Sequence, residues 1–520
     1  MGIPSFFKET IQNYPEIIIP HSTMKFTIDY LFLDLNCAIH PCCANQTDES
    51  IMFSTIFEKI KECIHITNVS KCIYIVIDGP APRTKMEQQR QRRLKSSLES
   101  KQWDTNAITP GTKFMNKLST FLQTQCKSLS IDFILSDANQ PGEGEHKIMK
   151  YIDTLPNDSI HCVYGLDADL IILSMIRRSK IFLLRERTSY NIEQILDPYL
   201  FLDTHLLQKC IVDSLTESIS TNLSSTRLLN DYIFLCFLLG NDFIIPSPSI
   251  NIRYNGIQQL LQTYKDIHKD YYGTFYLLTE DNDIYLPHFL VLLEKLSMNE
   301  TQQLQHISTI RHKQQQKLLY RYEPFLKYYQ SKKMSIQDII YDKPDLNNFK
   351  ICSRKKNIEY EYTNFKNNIP LLYRDNKETE IIKNNYYQHQ TNINDPIYLQ
   401  PHINELSKDY LCSIYWTTHY YFKECLCWKW YYPHIIAPLL HDVYSYCKQL
   451  NSMCELFTHT CKTPYSPEKQ LCIVLPKKSH NLLQNKSELF PLYYYPHKTP
   501  IHIFMKRFLW ECHPILPHNL

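Results

Sequence analysis

Glycine is scarce, with 9 residues in 520 against 28 prolines and 37 tyrosines. Collagen-like repeats and glycine linkers are thereby excluded, and each glycine marks a place where the backbone needs one. No C-x-x-C pair occurs among the 18 cysteines, whose nearest spacings are Cys42 with Cys43 and Cys425 with Cys427. Zinc ribbons, zinc knuckles and thioredoxin-like sites lose their main signature. Buried thiols in a reducing compartment fit a chain this long better than a disulfide framework. Neither sign of charge dominates: Lys plus Arg is 56 and Asp plus Glu is 53, a net +3. A uniformly basic coat is ruled out, so any nucleic-acid site must be a local patch. Long apolar runs are also missing; the longest, near 232–240, is too short to span a bilayer. The start, MGIPSFFKET, has no secretory apolar segment, and Phe6 stands where a myristoylation motif wants Ser or Thr. A soluble, intracellular, cytoplasmic protein with no membrane partner is expected.

Hydrophobic residues make up 43% and charged residues 21%, enough for a sizeable core. At ~150 residues per domain the length suggests three domains or one large elaborated one. Over the first ~260 residues, short β-rich runs at 30–35, 72–77, 131–135, 161–165 and 181–184 alternate with helical stretches at 52–64, 84–98, 111–128 and 145–153. That alternation predicts an α/β fold with a mostly parallel central sheet flanked by helices. Beyond 264 the pattern loosens. Residues 304–322 read as a helix stopping before Pro324, Lys332 and Lys333 follow, and 347–394 is polar, with Arg354, Lys355 and Lys356 inside it. Residues 406–430 are aromatic-dense and read as helical. The expected organisation is a catalytic core over 1–262, a variable helical insert or linker over 263–394, and a largely helical second region over 395–520 packing on the core.

Acids gather at the strand ends. Asp34 ends the first run, Asp78 follows the second, and Asp167 and Asp169 follow the fourth. In open parallel α/β sheets ligands bind at the carboxyl ends of strands, so separate strands deliver carboxylates to one edge. PGEGEHKIM adds Glu143 and Glu145, each preceded by glycine at a helix start, and Gly240-Asn241-Asp242 adds a seventh acid behind an apolar run. Crowded carboxylates repel unless a cation neutralises them, and hard oxygen ligands suit Mg²⁺ or Mn²⁺. Two such ions ~3.5–4 Å apart can clamp the attacking and leaving oxygens of a phosphodiester. Any one of these acids alone reads better as a helix cap or surface acid, and the Asp167/Asp169 pair reads equally either way; the joint placement on at least four elements points to metal. Asp137, also at a strand end, reads as a cap.

Directly after Asp78-Gly79 comes PAPRTKMEQQRQRRLKSS. Lys85, Gln89, Arg92 and Arg93 share one helical face beginning near Asp78. Such a face is either a solvated basic helix or a grip for a terminal phosphate, which guanidinium groups bind bidentately. Its one-sidedness and its closeness to Asp78 favour the phosphate. A terminal-phosphate pocket beside a metal site implies an exonuclease.

The ordered set MGIPSFF, LFLDLNCAIHPC, IDGPAPRTKMEQQRQRR, ITPGTKFM, PGEGEHKIM, YGLDADLIIL and FLCFLLGNDF resembles the XRN family of 5′-to-3′ exoribonucleases over most of 1–260. WTTHYYFKECLCWKWYYPHIIAP and QLCIVLP resemble the family's second conserved region. The resemblance implies a core shared with PIN-like flap nucleases. It also implies processive, Mg²⁺-dependent hydrolysis of single-stranded RNA bearing a 5′-monophosphate, with capped ends excluded. The seven acids become the metal site, Lys85, Gln89, Arg92 and Arg93 the 5′-phosphate pocket, and His40 and Trp416 the base-stacking residues. Trp428 and Trp430 are expected in the core. A decapping activity is the partner class that would supply such ends, and a monomer is expected. Cys37 stands where the family usually has Gly, and residues 243–248 depart from its Leu-Pro-His pattern. A compact core without the family's long C-terminal extensions is expected, and the Asn/Ile/Lys/Tyr-rich composition suits a viral protein in a host cytoplasm. The rivals are a flap-type structure-specific nuclease, whose glycine-rich hairpin is not evident, and a catalytically inactive RNA-binding protein, against which all seven acids speak.

Overall fold

The computed structural model describes residues 2–3, 6–98, 102–187, 196–217, 221–331, 383, 386–388, 393, 395–457, 460–483, 501–502 and 513–514. A seven-stranded mixed sheet organises the first half. Its strands are β1 (Ile18–Pro20), β2 (Tyr30–Asp34), β3 (Cys72–Val76), β4 (Asp132–Ser136), β5 (Ile160–Tyr164), β6 (Lys180–Glu186) and β7 (Tyr199–Asp203), in spatial order β1-β7-β6-β5-β2-β3-β4. Strands β6, β5, β2, β3 and β4 are mutually parallel, whereas β7 runs antiparallel to β6 and β1 antiparallel to β7. The five parallel strands are those the sequence pattern predicts. The antiparallel pair was not expected from it: β1 is three residues long and ends in Pro20, which an edge strand tolerates.

Side chains alternate across the sheet, so each face has its own core. Phe32, Val76 and Val163 join one cluster, and Leu31, Leu33, Ile73, Ile75 and Cys162 the other. The helices of this half are α1 (Phe6–Asn13), α2 (Asn36–Cys43), α3 (Glu49–Thr67), α4 (Arg83–Leu98), α5 (Lys113–Gln125), α6 (Gly144–Ile152), α7 (Ala168–Met175), α8 (Thr204–Thr216) and α9 (Ser225–Phe237). Apolar residues of α2, α3 and α5 cover the second face; those of α6 to α9 cover the first.

Downstream lie α10 (Gly256–Asp270), α11 (Leu286–Ser331), α12 (Pro396–Phe422), α13 (Leu440–Cys447) and α14 (Pro467–Val474). The first cluster continues without a break from the sheet through Phe289, Leu293 and Leu304 of α11 to Leu411 of α12 and Val443 of α13. The boundary expected at 262 falls inside α10, and α11 is a packed element rather than a linker. It also runs through Pro324, where the sequence predicts a stop. Conversely, the helix expected to reach Trp430 ends at Phe422. Lys332, Lys333 and the basic run at 354–356 lie outside the described residues.

Buried Glu300 on α11 fastens this half together. Its carboxylate accepts from Leu440 N (2.9 Å), His441 N (3.1 Å) and Ser249 Oγ (3.0 Å). Burial pushes its pKa up to about 7 despite these donors.

Candidate active site

The parallel strands bring their carboxyl ends to one edge, and the expected acids meet there. Asp34 closes β2, Asp78 lies two residues past β3, and Asp167 caps α7 immediately after β5, with Asp169 in that helix's first turn. Glu143 is the N-cap of α6 and Glu145 lies in its first turn. Asp242 arrives from behind α9, where Gly240 takes φ +86° to turn the chain.

Gly144 lets these elements close up. Its N–H donates to Asp78 Oδ1 at 2.6 Å, and an added Cβ would stand 3.0 Å from Asp34 Oδ1 and 3.2 Å from Asp78 Oδ1. Gly2, at φ +48°, is pressed against Asp169 so closely that a Cβ would fall 2.3 Å from Oδ1. Lys85 reaches in from α4 to bridge Glu143 (2.6 Å) and Asp242 (2.9 Å).

The electrostatics is that of a crowded anionic centre. Burial, then Asp78 and Asp167, drive the Asp34 pKa well above the carboxylate range. Glu145 is likewise raised by burial, with Asp169, Glu143 and Asp167 adding to it against Lys85. Burial raises Glu143 and Asp169 too. Burial pushes Asp242 up, but Lys85, the chain's amino terminus and Arg92 together hold it below its ordinary value. Burial alone would lower Lys85, but Asp242 and Glu143 keep it well above its usual value.

These residues fit divalent cations. The positive groups acting most on these acids, Lys85, Arg92 and the chain's amino terminus, are fewer than the seven carboxyl groups they face. Asp34 Oδ1 and Asp169 Oδ2 are buried without a hydrogen-bond partner, as oxygens reserved for a cation would be. Glu143, Glu145 and His146 offer ligand atoms within 4.8 Å of one another.

The second half of the chain supports this centre with residues that the sequence reading did not single out. Tyr420 donates to Glu143 Oε1 and Tyr421 to Asp169 Oδ1, both at 2.7 Å. His146 lies over Tyr420, ring centroids 3.9 Å apart. Trp416, one helical turn before Tyr420, stacks on it at 4.7 Å and 28°. This corrects the expectation that Trp416 stacks on a base. The tryptophan is wholly buried and its Nε1 donates to Cys427 O at 2.9 Å, so no base can reach it. Trp428 and Trp430, expected in the core, are half-buried in the irregular segment after α12. His40 is exposed on α2, six residues beyond Asp34.

The basic face divides. Lys85, expected in the phosphate cradle, has its ammonium among the acids. Arg92 is exposed and contributes to lowering Asp242. Arg93 donates from Nε to Thr109 Oγ1 at 3.0 Å. Burial, with Arg92 beside it, brings the Arg93 pKa down to about 9, and Asp78 opposes that shift. Gln89 is half-buried and accepts from Gln470 Nε2. Thr109 belongs to ITPG, a motif visible in the sequence without a role attached. The start of α4 is held by the second half: Arg83 N donates to Trp428 O and Thr84 Oγ1 to Trp430 O, both at 2.8 Å.

Two family models match the chain: the XRN 5′-3′ exonuclease N-terminus over 1–102 and 96–187, and the Xrn1 helical domain over 222–518. Exoribonuclease 1 of Saccharomyces cerevisiae is 27% identical across 97% of this chain and 41% of its own length. The human exoribonuclease 1 is 29% identical across 99% of this chain and 33% of its own. Exoribonuclease 2 of Candida albicans is 26% identical across 99% of this chain and 71% of its own. The chain thus spans about two fifths and one third of the first two relatives. With an acidic centre at the sheet edge, a basic helix beside it and a helical region built around both, the chain belongs to the XRN family of 5′-3′ exonucleases.

Proposed function

We propose that the protein is a processive 5′-to-3′ exoribonuclease that hydrolyses single-stranded RNA with a 5′-monophosphate, releasing nucleoside 5′-monophosphates. The observation that carries this reading is that α4 sends Lys85 into the acid cluster, bridging Glu143 and Asp242, and carries Arg92 and Arg93 about two helical turns further along. A cationic grip beside the acid cluster would hold a chain end near the bond to be cut.

Asp34, Asp78, Glu143, Glu145, Asp167, Asp169 and Asp242 hold two Mg²⁺ ions, with Mn²⁺ as a substitute. Bound there, such ions supply a water of lowered pKa and neutralise charge on the leaving 3′-oxygen. Tyr420 and Tyr421 fix the carboxylates they donate to, so that the remaining lone pairs face inward. Arg93, braced by Thr109, and Arg92 grip the terminal phosphate, and Gln89 donates to it. Lys85 is the internal counter-charge of Glu143 and Asp242, and with those acids holding divalent ions its ammonium would be available to phosphate oxygens. His40 offers an exposed ring for the first base; stacking contributes ~1–3 kcal/mol and tolerates any sequence. After each cut the new 5′-phosphate docks on the same helix, which makes the reaction processive. A decapping activity would generate the ends it consumes.

The test is a time course on end-labelled RNAs with monophosphate, triphosphate, cap and hydroxyl 5′ ends, with and without Mg²⁺, beside a flapped DNA duplex. Mg²⁺-dependent release of mononucleotides from monophosphate RNA is expected. Cleavage of the flap junction with no attack on RNA would refute the reading.

A further inference from the structure

Gln470 lies on α14, is fully buried, and stands 381 residues from its partner Gln89. Its two amide atoms are both used. Ala81 N donates to Gln470 Oε1 at 2.7 Å, and Gln470 Nε2 donates to Gln89 Oε1 at 3.3 Å. The direction of this chain is forced. A backbone N–H can only donate, so the Gln470 atom facing Ala81 must be its oxygen, and the atom facing Gln89 must be its NH₂. Gln89 must then turn its own oxygen toward Gln470. What remains for the basic face of α4 is the Gln89 NH₂, a donor.

From this we infer that Gln470 is a positioning residue for recognition of the RNA 5′ end, acting as an amide relay that fixes the orientation of Gln89. The inference rests on the reading of Gln89 as part of the 5′-phosphate pocket. A phosphate oxygen accepts hydrogen bonds and never donates them, so an inverted Gln89 amide would present an oxygen to an anion and repel it. A free glutamine side chain has no preference between its two ends. The relay supplies that preference from a backbone donor, through a residue out of reach of solvent or substrate. The two helices are held in register meanwhile by Met86 of α4 packing on Ile473 and Val474 of α14. The second half of the chain therefore sets end discrimination without touching the end itself.

Gln470→Glu reverses the relay with little change in shape. A carboxylate accepts at both oxygens, so it takes the Ala81 N–H on one and the Gln89 NH₂ on the other, turning the Gln89 oxygen outward. The readout is the ratio of kcat/KM for 5′-monophosphate RNA to that for 5′-hydroxyl RNA, with full-length protein. The added charge is separated from the flip by a double-mutant cycle with Gln89→Ala. The ratio is expected to fall about tenfold or more in Gln470→Glu, the scale of a hydrogen bond to a charged group, and to fall no further when Gln470→Glu is placed on Gln89→Ala. Gln470→Met, which lets Gln89 take either orientation and adds no charge, serves where the acid prevents folding; a smaller fall, again absent on Gln89→Ala, is expected. An equal fall in both backgrounds, or an unchanged ratio where Gln89→Ala removes it, overturns the relay. Should Gln89→Ala itself leave the ratio intact, the pocket reading fails first, and the relay with it.

Discussion

The pentapeptide Tyr-Leu-Phe-Leu-Asp occurs twice, as β2 (Tyr30–Asp34) and as β7 (Tyr199–Asp203), and its two aspartates have opposite fates. Strand β2 lies between parallel neighbours β3 and β5, with Asp34 beside Val76, so its carboxyl end arrives where Asp78 and Asp167 also arrive. Strand β7 runs antiparallel to β6, and Asp203 pairs with Phe182 near that neighbour's start. Its carboxyl end therefore points away from the acids. There Asp203 caps α8, with Oδ1 accepting from His205 N (3.0 Å) and Leu206 N (2.9 Å). Asp34 Oδ1 is buried with no partner. Strand direction, not residue type, separates an acid of the buried cluster from a helix cap.

The sharpest way to break this comparison is to neutralise each aspartate in turn. Asp34→Asn should lower hydrolysis at least ~10²-fold, beyond what losing an outer partner of a metal ligand costs. The thermal midpoint of the metal-free protein should hold or rise, because a repelling charge is gone. Asp203→Ala should leave hydrolysis unchanged and lose about 1 kcal/mol in denaturant unfolding, as a lost N-cap does. Similar activity losses in both would show that β2 has no special position.

A smaller effect probes the support from the helical half. Tyr420→Phe or Tyr421→Phe should weaken divalent-ion affinity by about tenfold, the lower range for an outer partner of a ligand. The Mn²⁺ concentration that half-saturates the rise in unfolding temperature would report it, with no turnover involved. An unchanged titration would reduce both tyrosines to packing.

The effect that leaves activity untouched concerns pH. Glu300 is raised from its ordinary 4.5 to about 7 in the folded chain, so the folded state holds that proton more tightly than the unfolded one. Its stabilising contribution is complete below the unfolded value and fades as pH climbs through about 7. Between pH 5 and 8 the native chain should lose ~1–3 kcal/mol more than Glu300→Gln does, measured by urea unfolding at each pH without metal. Parallel pH curves would mean that Glu300 ionises freely.

The same contrast explains what could be read in advance. The five parallel strands and the acids at their ends were legible because apolar runs alternating with helices dictate a parallel sheet, and a parallel sheet gathers its carboxyl ends. Trp416 was misread because its place beside HYYF says nothing about which way its helix face turns; that face looks inward, where Tyr420 and Trp416 stack. Tyr420, Tyr421, Thr109 and Gln470 were missed for a related reason. Neutral side chains become functional here through one oriented hydrogen bond, across hundreds of residues for Tyr420, Tyr421 and Gln470, and spacing along the chain carries no trace of it.

The central claim is that seven carboxylates drawn from separate elements form one divalent-cation centre. Anomalous scattering from crystals of the full chain grown with Mn²⁺ tests it most directly. The account predicts two Mn²⁺ peaks ligated within the set of Asp34, Asp78, Glu143, Glu145, Asp167, Asp169 and Asp242, with Lys85 displaced from Glu143 and Asp242. Density showing no ion at that sheet edge, with Lys85 still bridging the two acids at saturating Mn²⁺, would contradict it.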